Sequence, residues 1–264
     1  MSESVVIPVG YTPAGHYAGR AVAEIAAMLA VPAVVALDAV SSTLDVAHEL
    51  GGQGVPPGTL VLADAQSAGR GRMGRSWQSE PGRGIWLTLV ERPSENEMLS
   101  VLSLRIALAL APALDRFVDS RLRLKWPNDL YEGERKLAGV LVEARWRGTH
   151  LDWLAVGIGI NTQAPSGFDA ASLVAGTDRI QVLGAVVPAV RRAVASVGPL
   201  TEEELAAFAA RDLAVGRVCR SPAHGRVAGI DRSGALLVDV GGGRVAFHGG
   251  SLMLADGTSL GETP

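Results

Sequence analysis

Two segments of this chain, Gly58 to Ala65 (GTLVLADA) and Gly84 to Val90 (GIWLTLV), carry apolar residues at consecutive positions and present no polar face to water. Strands of this kind belong inside a sheet that is covered on both sides. Between them runs Gln66 to Trp77, QSAGRGRMGRSW, in which Gly69, Gly71 and Gly74 alternate with Arg70, Arg72 and Arg75. The fold must therefore bury two strands and still present the loop that joins them. Glycine lets a backbone approach a ligand closely, and arginine supplies a planar, permanently charged fork suited to phosphate and carboxylate. Gly69 to Gly84 holds four arginines against one glutamate, which suggests a lid closed by an anion. A basic surface loop for RNA, or one decorated with salt bridges, is the alternative on composition alone. GRGRMG lacks the lysine and hydroxyl of a GxxxxGK[ST] phosphate loop, and it does not open a βαβ unit with a later ribose-binding acid.

The 264 residues, 48% of them apolar, suffice for one large or two unequal domains. A net charge of -3 gives the whole chain no reason to bind nucleic acid nonspecifically. One cysteine, Cys219, excludes an internal disulfide framework and fits a reducing compartment as an ordinary buried thiol. No basic segment followed by an apolar core opens the chain. The longest apolar run, Leu99 to Leu114, is interrupted by Ser103, Arg105 and Pro112 and suits a buried helix better than a membrane span. A soluble, cytoplasmic protein is expected.

Taken in order, residues 1 to 15 read as an irregular arm and His16 to Leu29 as a helix. Pro32 to Val40 is of strand type. Ser42 and Asp45 stand in capping-box register at the start of a helix expected to stop at Gly51 and Gly52. That SSTLD turn is either a cap alone or the place where hydroxyls and first-turn amides face a bound polar group. Arg121 to Trp126 alternates, with Lys125 opposite Leu124 and Trp126, and a hairpin turning at Glu132 to Glu134 is expected to return as Lys136 to Glu143, KLAGVLVE. Strand alternation puts Lys136 on the face of Ala138, Val140 and Val142, either as a rim lysine or, with Lys125 and Asp129 near, as part of a site. Leu151 to Ile160 is another strand, whose Gly157 and Gly159 leave room beside the backbone before Asn161. Ala170 to Val197, mainly helical with a break near Gly176, and Thr201 to Leu213 read as scaffold, the second opened by Thr201 and Glu204 in capping-box register. From Gly216 onward, five short strands between glycine turns suggest a small barrel. The chain thus divides into domains at 1–213 and 214–264.

In this order and spacing SSTLD, QSAGRGRMGRSW, KWPND, KLAGVLVE and GIGIN, followed by a small barrel, resemble the biotin protein ligase family from about Asp38 to Leu254. The resemblance implies an α+β catalytic domain similar to class II aminoacyl-tRNA synthetases and lipoate ligases, with an SH3-like C-terminal domain. It implies that biotin and ATP form biotinyl-5'-AMP and pyrophosphate, and that biotin then passes to one lysine of a carboxylase's biotin carboxyl carrier protein. By matching motif, Ser42, Thr43, Gln66, Gly69 and Gly139 bind biotin, with Arg70 and Arg72 closing over its carboxylate and the α-phosphate. Arg75, Trp77, Asn128 and Asn161 fall on the ATP or adenylate side, and Lys136 bridges carboxylate and phosphate. Lys125 belongs to the second polar cluster. Asp129 either orients or deprotonates the carrier lysine, pairs with Lys125, or holds Mg²⁺, whose ligands no carboxylate cluster identifies. The lid is expected to be mobile without ligand.

Leu44 stands where the family commonly has Asn, which removes one polar contact near the biotin ring. The residues before Asp38 are too few for the DNA-binding winged helix of longer members, so a ligase without operator binding is expected. Monomer and dimer both remain open. A lipoate or octanoyl ligase and a nucleic-acid-binding module are the competing functions; the second asks for exposed aromatic residues, yet aromatics are 5% of the chain.

Overall fold

The structure, a computed structural model, describes residues 6–93 and 99–255. The first five residues of the expected arm and residues 256–264 of the expected second domain lie outside the described residues. The elements in chain order are β1 (Pro13–Ala14), β2 (His16–Tyr17), β3 (Arg20–Ala21), α1 (Val22–Leu29), β4 (Val34–Val40), α2 (Thr43–Gly52), β5 (Thr59–Gln66) and β6 (Gly84–Glu91). They continue with α3 (Leu102–Leu114), β7 (Arg123–Lys125), β8 (Asp129–Glu132), β9 (Arg135–Arg147), β10 (His150–Asn161), α4 (Arg179–Val194) and α5 (Glu202–Ala209). A second set of strands follows: β11 (Val218–Ser221), β12 (Gly225–Ile230), β13 (Leu236–Val240), β14 (Gly243–Phe247) and β15 (Met253–Leu254).

An eight-stranded sheet in the order β1-β4-β5-β6-β10-β9-β8-β7 has the two doubly apolar strands in its interior. Only β4 and β5 run parallel, joined through α2. On β5, Leu60 and Leu62 face the core under α1, α3 and α4, together with Ile25, Ile106, Leu110 and Val186. Val61 and Ala63 face the opposite way, onto Val46, Ala47 and Leu50 of α2. Both faces are thus dry, which is why the segment shows no alternation in polarity. A five-stranded antiparallel sheet, β14-β13-β12-β11-β15, forms the C-terminal unit. Its Cys219, Val227, Leu236 and Leu252 belong to the same apolar core as α3. The connecting chain is zipped to β7 by the Leu124 amide to the Arg211 carbonyl and the Leu213 amide to the Leu124 carbonyl, both 2.8 Å. Trp126 Nε1 donates to the Gly234 carbonyl at 2.9 Å, tying the WPND turn to the small domain.

Several expectations are corrected. His16 to Ala21 forms a hairpin instead of helix, because Ala18 and Gly19 at φ 50 and 78 turn the chain in the left-handed region. The arm contributes an edge strand, Pro13 and Ala14 pairing with Leu37 and Ala36. α2 runs through Gly51 and Gly52; a Cβ on Gly51 would lie 2.5 Å from the Trp153 indole, so this glycine serves packing instead of termination. Ser42 caps α2 by accepting from the Leu44 amide, but Asp45 closes no box and instead accepts from Ser41 Oγ and Arg70. The predicted hairpin acquires a middle strand, β8, between Lys125 and Lys136. Ala170 to Asp178 is not helical: its Ala171 and Leu173 amides bond the Lys136 and Asn161 carbonyls, and Asp178 caps a helix that begins only at Arg179. Thr201 and Glu204 do form both halves of a capping box.

Candidate active site

One cavity opens on the sheet face next to the N-terminus of α2. It is lined by every residue singled out from the motifs except Gly69. Gly69 instead shapes the lid's base: a Cβ there would meet the Trp77 carbonyl at 2.5 Å, and its own carbonyl accepts from the Trp77 amide.

A polar array fills one end. Gln66, the last residue of β5, accepts through Oε1 from the Thr43 amide at 2.8 Å and from Thr43 Oγ1 at 3.1 Å. Its Nε2 donates to Ser79 Oγ at 2.8 Å, and Thr88 Oγ1 donates to Thr43 Oγ1 at 2.9 Å. Ser42 and Thr43 are buried, so these hydroxyls and the amide are held in place before any ligand arrives. Sequence reasoning missed Ser79 and Thr88. The available signal for Thr88 was a lone hydroxyl inside an otherwise apolar strand. Leu44 is buried against Gly157, where a Cβ would come within 3.1 Å of its side chain.

The middle of the cavity is built around Trp77. Gly139 and Gly159 are direct partners across β9 and β10. Cβ atoms there would approach the Trp77 ring to 3.0 and 2.5 Å, so the paired glycines make a seat on which the indole lies against bare backbone. The Lys136 ammonium stands 5.0 Å from the ring centroid.

At the other end Lys136 Nζ lies 2.8 Å from Asp129 Oδ1. The simple alternation of β9 places Lys136 with Ala138 and Val140. A bulge overturns this: Tyr131 pairs with Lys136 and Leu130 with Ala138, leaving Leu137 as the extra residue in the core. Lys136 is thereby turned to the Gly139 side, its Cε 3.4 Å from where that glycine's Cβ would be. Lys125 is 3% exposed and sits 5.6 Å from the Tyr131 ring. Asn128 Nδ2 donates to the Val140 carbonyl at 2.7 Å, and Asn161 Nδ2 to the Lys136 and Ala171 carbonyls, so both asparagines brace the backbone that carries Lys136.

The arginine loop folds over this end as a small hairpin, with Arg70 bridged to Ser76 and the Gly71 amide bonded to the Arg75 carbonyl at 2.7 Å. Met73 and Gly74, at φ 56 and 76, make its tip. Arg72 is half-buried; burial lowers its guanidinium from the usual range and the charge of Asp129 opposes that, and an arginine remains cationic throughout. Arg75 also lines the cavity. Arg70 lines it too and is ion-paired to Asp45 and, at 3.4 Å, to Glu143. Ser251 and Leu252 of the C-terminal unit complete the wall, with Ser251 Oγ 3.5 Å from the Met73 sulfur. Among the described residues no three His, Cys, Asp or Glu side chains converge as a metal site.

A cavity joining a preset hydrogen-bond array to clustered cations, on an α+β sheet with a small β domain beside it, is the layout of the biotin and lipoate ligase class. Residues 37–161 match the biotin/lipoate A/B protein ligase family, and residues 217–252 match the biotin protein ligase C terminal domain. The chain is 34% identical over 214 residues to the biotin--[acetyl-CoA-carboxylase] ligase of Paracoccus denitrificans, covering 72% of this chain and 88% of that one. It belongs to the biotin protein ligase family. It is also 39% identical over 133 residues to the bifunctional ligase/repressor BirA of Bacillus subtilis, covering 50% of this chain and only 41% of that protein. The biotin protein ligase from Aquifex aeolicus, solved in complex with biotin and ATP, superposes with a TM-score of 0.69 at 29% identity, covering 84% of this chain and 97% of that one.

Proposed function

We propose that the protein is an ATP-dependent biotin protein ligase, forming biotinyl-5'-AMP and passing biotin to a lysine of a carboxylase's biotin carboxyl carrier protein. The observation that carries this is the convergence of Lys136, Lys125 and Arg72 beside Asp129 in the cavity whose far end is the Thr43–Gln66 array. In the first step a biotin carboxylate oxygen attacks the α-phosphorus of ATP, a new P–O bond forms, and the bond to pyrophosphate breaks. Two anions must meet, and negative charge gathers on the phosphoryl oxygens. Preplaced cations in a water-poor site lower that barrier without a covalent enzyme intermediate. Ser42, Thr43 and Gln66 hold the ureido ring with Gly139 beside biotin, Trp77 lies toward the nucleotide, and Arg72 and Lys136 meet the carboxylate and α-phosphate. Lys125, Arg75, Asn128 and Asn161 support the nucleotide side. In the second step the carrier's amine attacks the acyl carbon, AMP leaves, and Asp129 takes the amine's proton.

Mg²⁺ enters with the nucleotide phosphates; the described residues offer no carboxylate cage for it, and no step above is routed through it. A net charge of -3 supports a substrate set without nucleic acid, and the buried single cysteine supports a reducing, cytoplasmic setting. Among the described residues no helix is long and apolar enough to cross a membrane. The test is incubation with biotin, ATP and Mg²⁺, with lipoate as competitor. Biotin-dependent pyrophosphate and tightly bound biotinyl-AMP are expected; release of pyrophosphate with lipoate alone, or with neither, overturns the proposal.

A further inference from the structure

The Arg70 guanidinium takes two carboxylate partners from the scaffold. Its Nη1 meets Asp45 Oδ1 on α2 and its Nη2 lies 3.4 Å from Glu143 Oε2 on β9. Both carboxylates are themselves held. Asp45 Oδ2 accepts from Ser41 Oγ at 2.7 Å. Glu143 Oε2 lies 2.6 Å from His48 Nε2, while His48 Nδ1 accepts from Trp153 Nε1 at 3.1 Å. An indole N–H is only a donor, so Nδ1 must be the bare nitrogen and Nε2 carries the proton that goes to Glu143. Trp153 is in turn fitted against Gly51, where no Cβ has room. The chain of contacts runs from β10 through α2 and β9 to the first arginine of the loop. Arg72, two residues on, has nothing comparable: its guanidinium is half-buried in the cavity with the charge of Asp129 nearby.

We infer that Arg70 is a positioning residue that anchors the arginine loop to the Asp45–Glu143 clamp, so that the loop swings from a fixed base and carries Arg72 over the substrate. The role divides the loop's cations by chemistry. A guanidinium shared between two carboxylates has its charge matched and its two terminal nitrogens directed to the scaffold, so its removal loosens the loop instead of taking a ligand from the reacting groups. Glu143, steadied by His48, decides how firmly the base is held. The hydrogen bond from His48, together with the charges of Arg70 and Arg145, keeps its carboxyl below the usual range despite partial burial, so the clamp stays ionised near neutrality.

This assignment rests on the adenylate-forming reading of the cavity for one of its two tests. Asp45→Asn, Glu143→Gln, Arg70→Ala and the Arg70→Ala/Glu143→Gln double variant are compared with the parent. In the first test, biotinyl-AMP is formed on each protein and its escape is timed. Escape should quicken by about threefold to tenfold in each single variant, the scale of a partly exposed charged pair. The double variant should be no worse than Arg70→Ala, and single-turnover adenylation at saturating biotin and ATP should change by less than about twofold in Asp45→Asn and Glu143→Gln. If Glu143→Gln and Asp45→Asn retain the intermediate like the parent while Arg70→Ala raises the KM for biotin, Arg70 is a substrate ligand and the anchor role is wrong. The second test needs no activity. Amide exchange across Ser67 to Gly71 in the ligand-free protein should accelerate in Glu143→Gln, and unchanged exchange there overturns the anchor even if the parent forms no adenylate.

Discussion

Lys136 Nζ stands 2.8 Å from Asp129 Oδ1, yet that buried oxygen accepts no aligned hydrogen bond. The two form a close ion pair off the usual hydrogen-bond angle, and an ammonium with three donors has others to offer an incoming anion. Replacing Lys136 by Met removes this cation and strands Asp129. Biotin-dependent pyrophosphate release should fall by about 10²–10³, the size of one lost preorganised donor, roughly 3–4 kcal/mol of transition-state stabilisation. A single-turnover rate equal to the parent's would take Lys136 out of the reaction.

Arg72→Gly should affect retention more than formation. Without its guanidinium the lid no longer shields the mixed anhydride, and biotinyl-AMP escapes to solution. Filter binding or mass spectrometry of the reacted protein reads this directly. Intermediate retained as well as by the parent contradicts a shielding role.

Gly159→Ala tests the seat under Trp77. The new methyl would lie 2.5 Å from the indole, on backbone that cannot retreat because it pairs with Gly139 and Trp86 on either side. Overpacking of this kind costs about 1–3 kcal/mol, so the variant should melt lower and bind biotin more weakly. Trp77→Leu in the same chain should recover the stability without the binding. If Gly159→Ala melts with the parent, the indole is not confined there.

Tyr17 provides a pH signature. Its phenol is buried against the Arg179 guanidinium, and burial, outweighing the opposing effect of that cation, pushes its pKa up to about 12 from 10.0. The folded protein therefore holds this proton more tightly than the unfolded chain does. The resulting stability is present below pH 10, declines as pH rises from there, and is lost by about pH 12. At about 1.4 kcal/mol per pKa unit this is on the order of 3 kcal/mol. Urea unfolding at pH 9 and 11.5 should show a steeper alkaline loss for the parent than for Tyr17→Phe. Parallel losses would mean that the phenol ionises freely in the folded state.

Much of the frame is legible residue by residue, because local rules with short reach determine it. Consecutive apolar residues in β5 and β6 require two dry faces, and α2 on one side with α3 and α4 on the other supply them. Thr201 and Glu204 form the box their spacing announces, since both halves lie within one turn. The order of SSTLD, GRGRMGR, KWPND, KLAGVLVE and GIGIN names the chemistry well, because each motif sits at the end of a strand or the start of a helix and these ends meet on one sheet face.

The cavity's actual geometry was settled only in three dimensions. Period-two alternation is a rule for an unbroken ladder, and one extra residue, Leu137, turned Lys136 from the core face to the reacting face. Left-handed φ at Ala18 and Gly19 turned the front of the expected helix into a hairpin, while the apolar spacing of Val22, Ile25, Ala26 and Leu29 did form α1. Gly157 and Gly159 look like clearance for a ligand in one dimension, whereas the objects that first occupy the space are Leu44 and Trp77. Arg70 carries the same charge as Arg72 and shares Gly71 with it in the sequence. Asp45 and Glu143, 25 and 73 positions away, separate them in space. The sequence by itself determined the sheet, its helical cover and the family of chemistry, since hydrophobic period and motif order act locally. Tertiary structure alone decided which cation is bound and which is left to act, since that depends on side chains from distant segments meeting at a few ångströms.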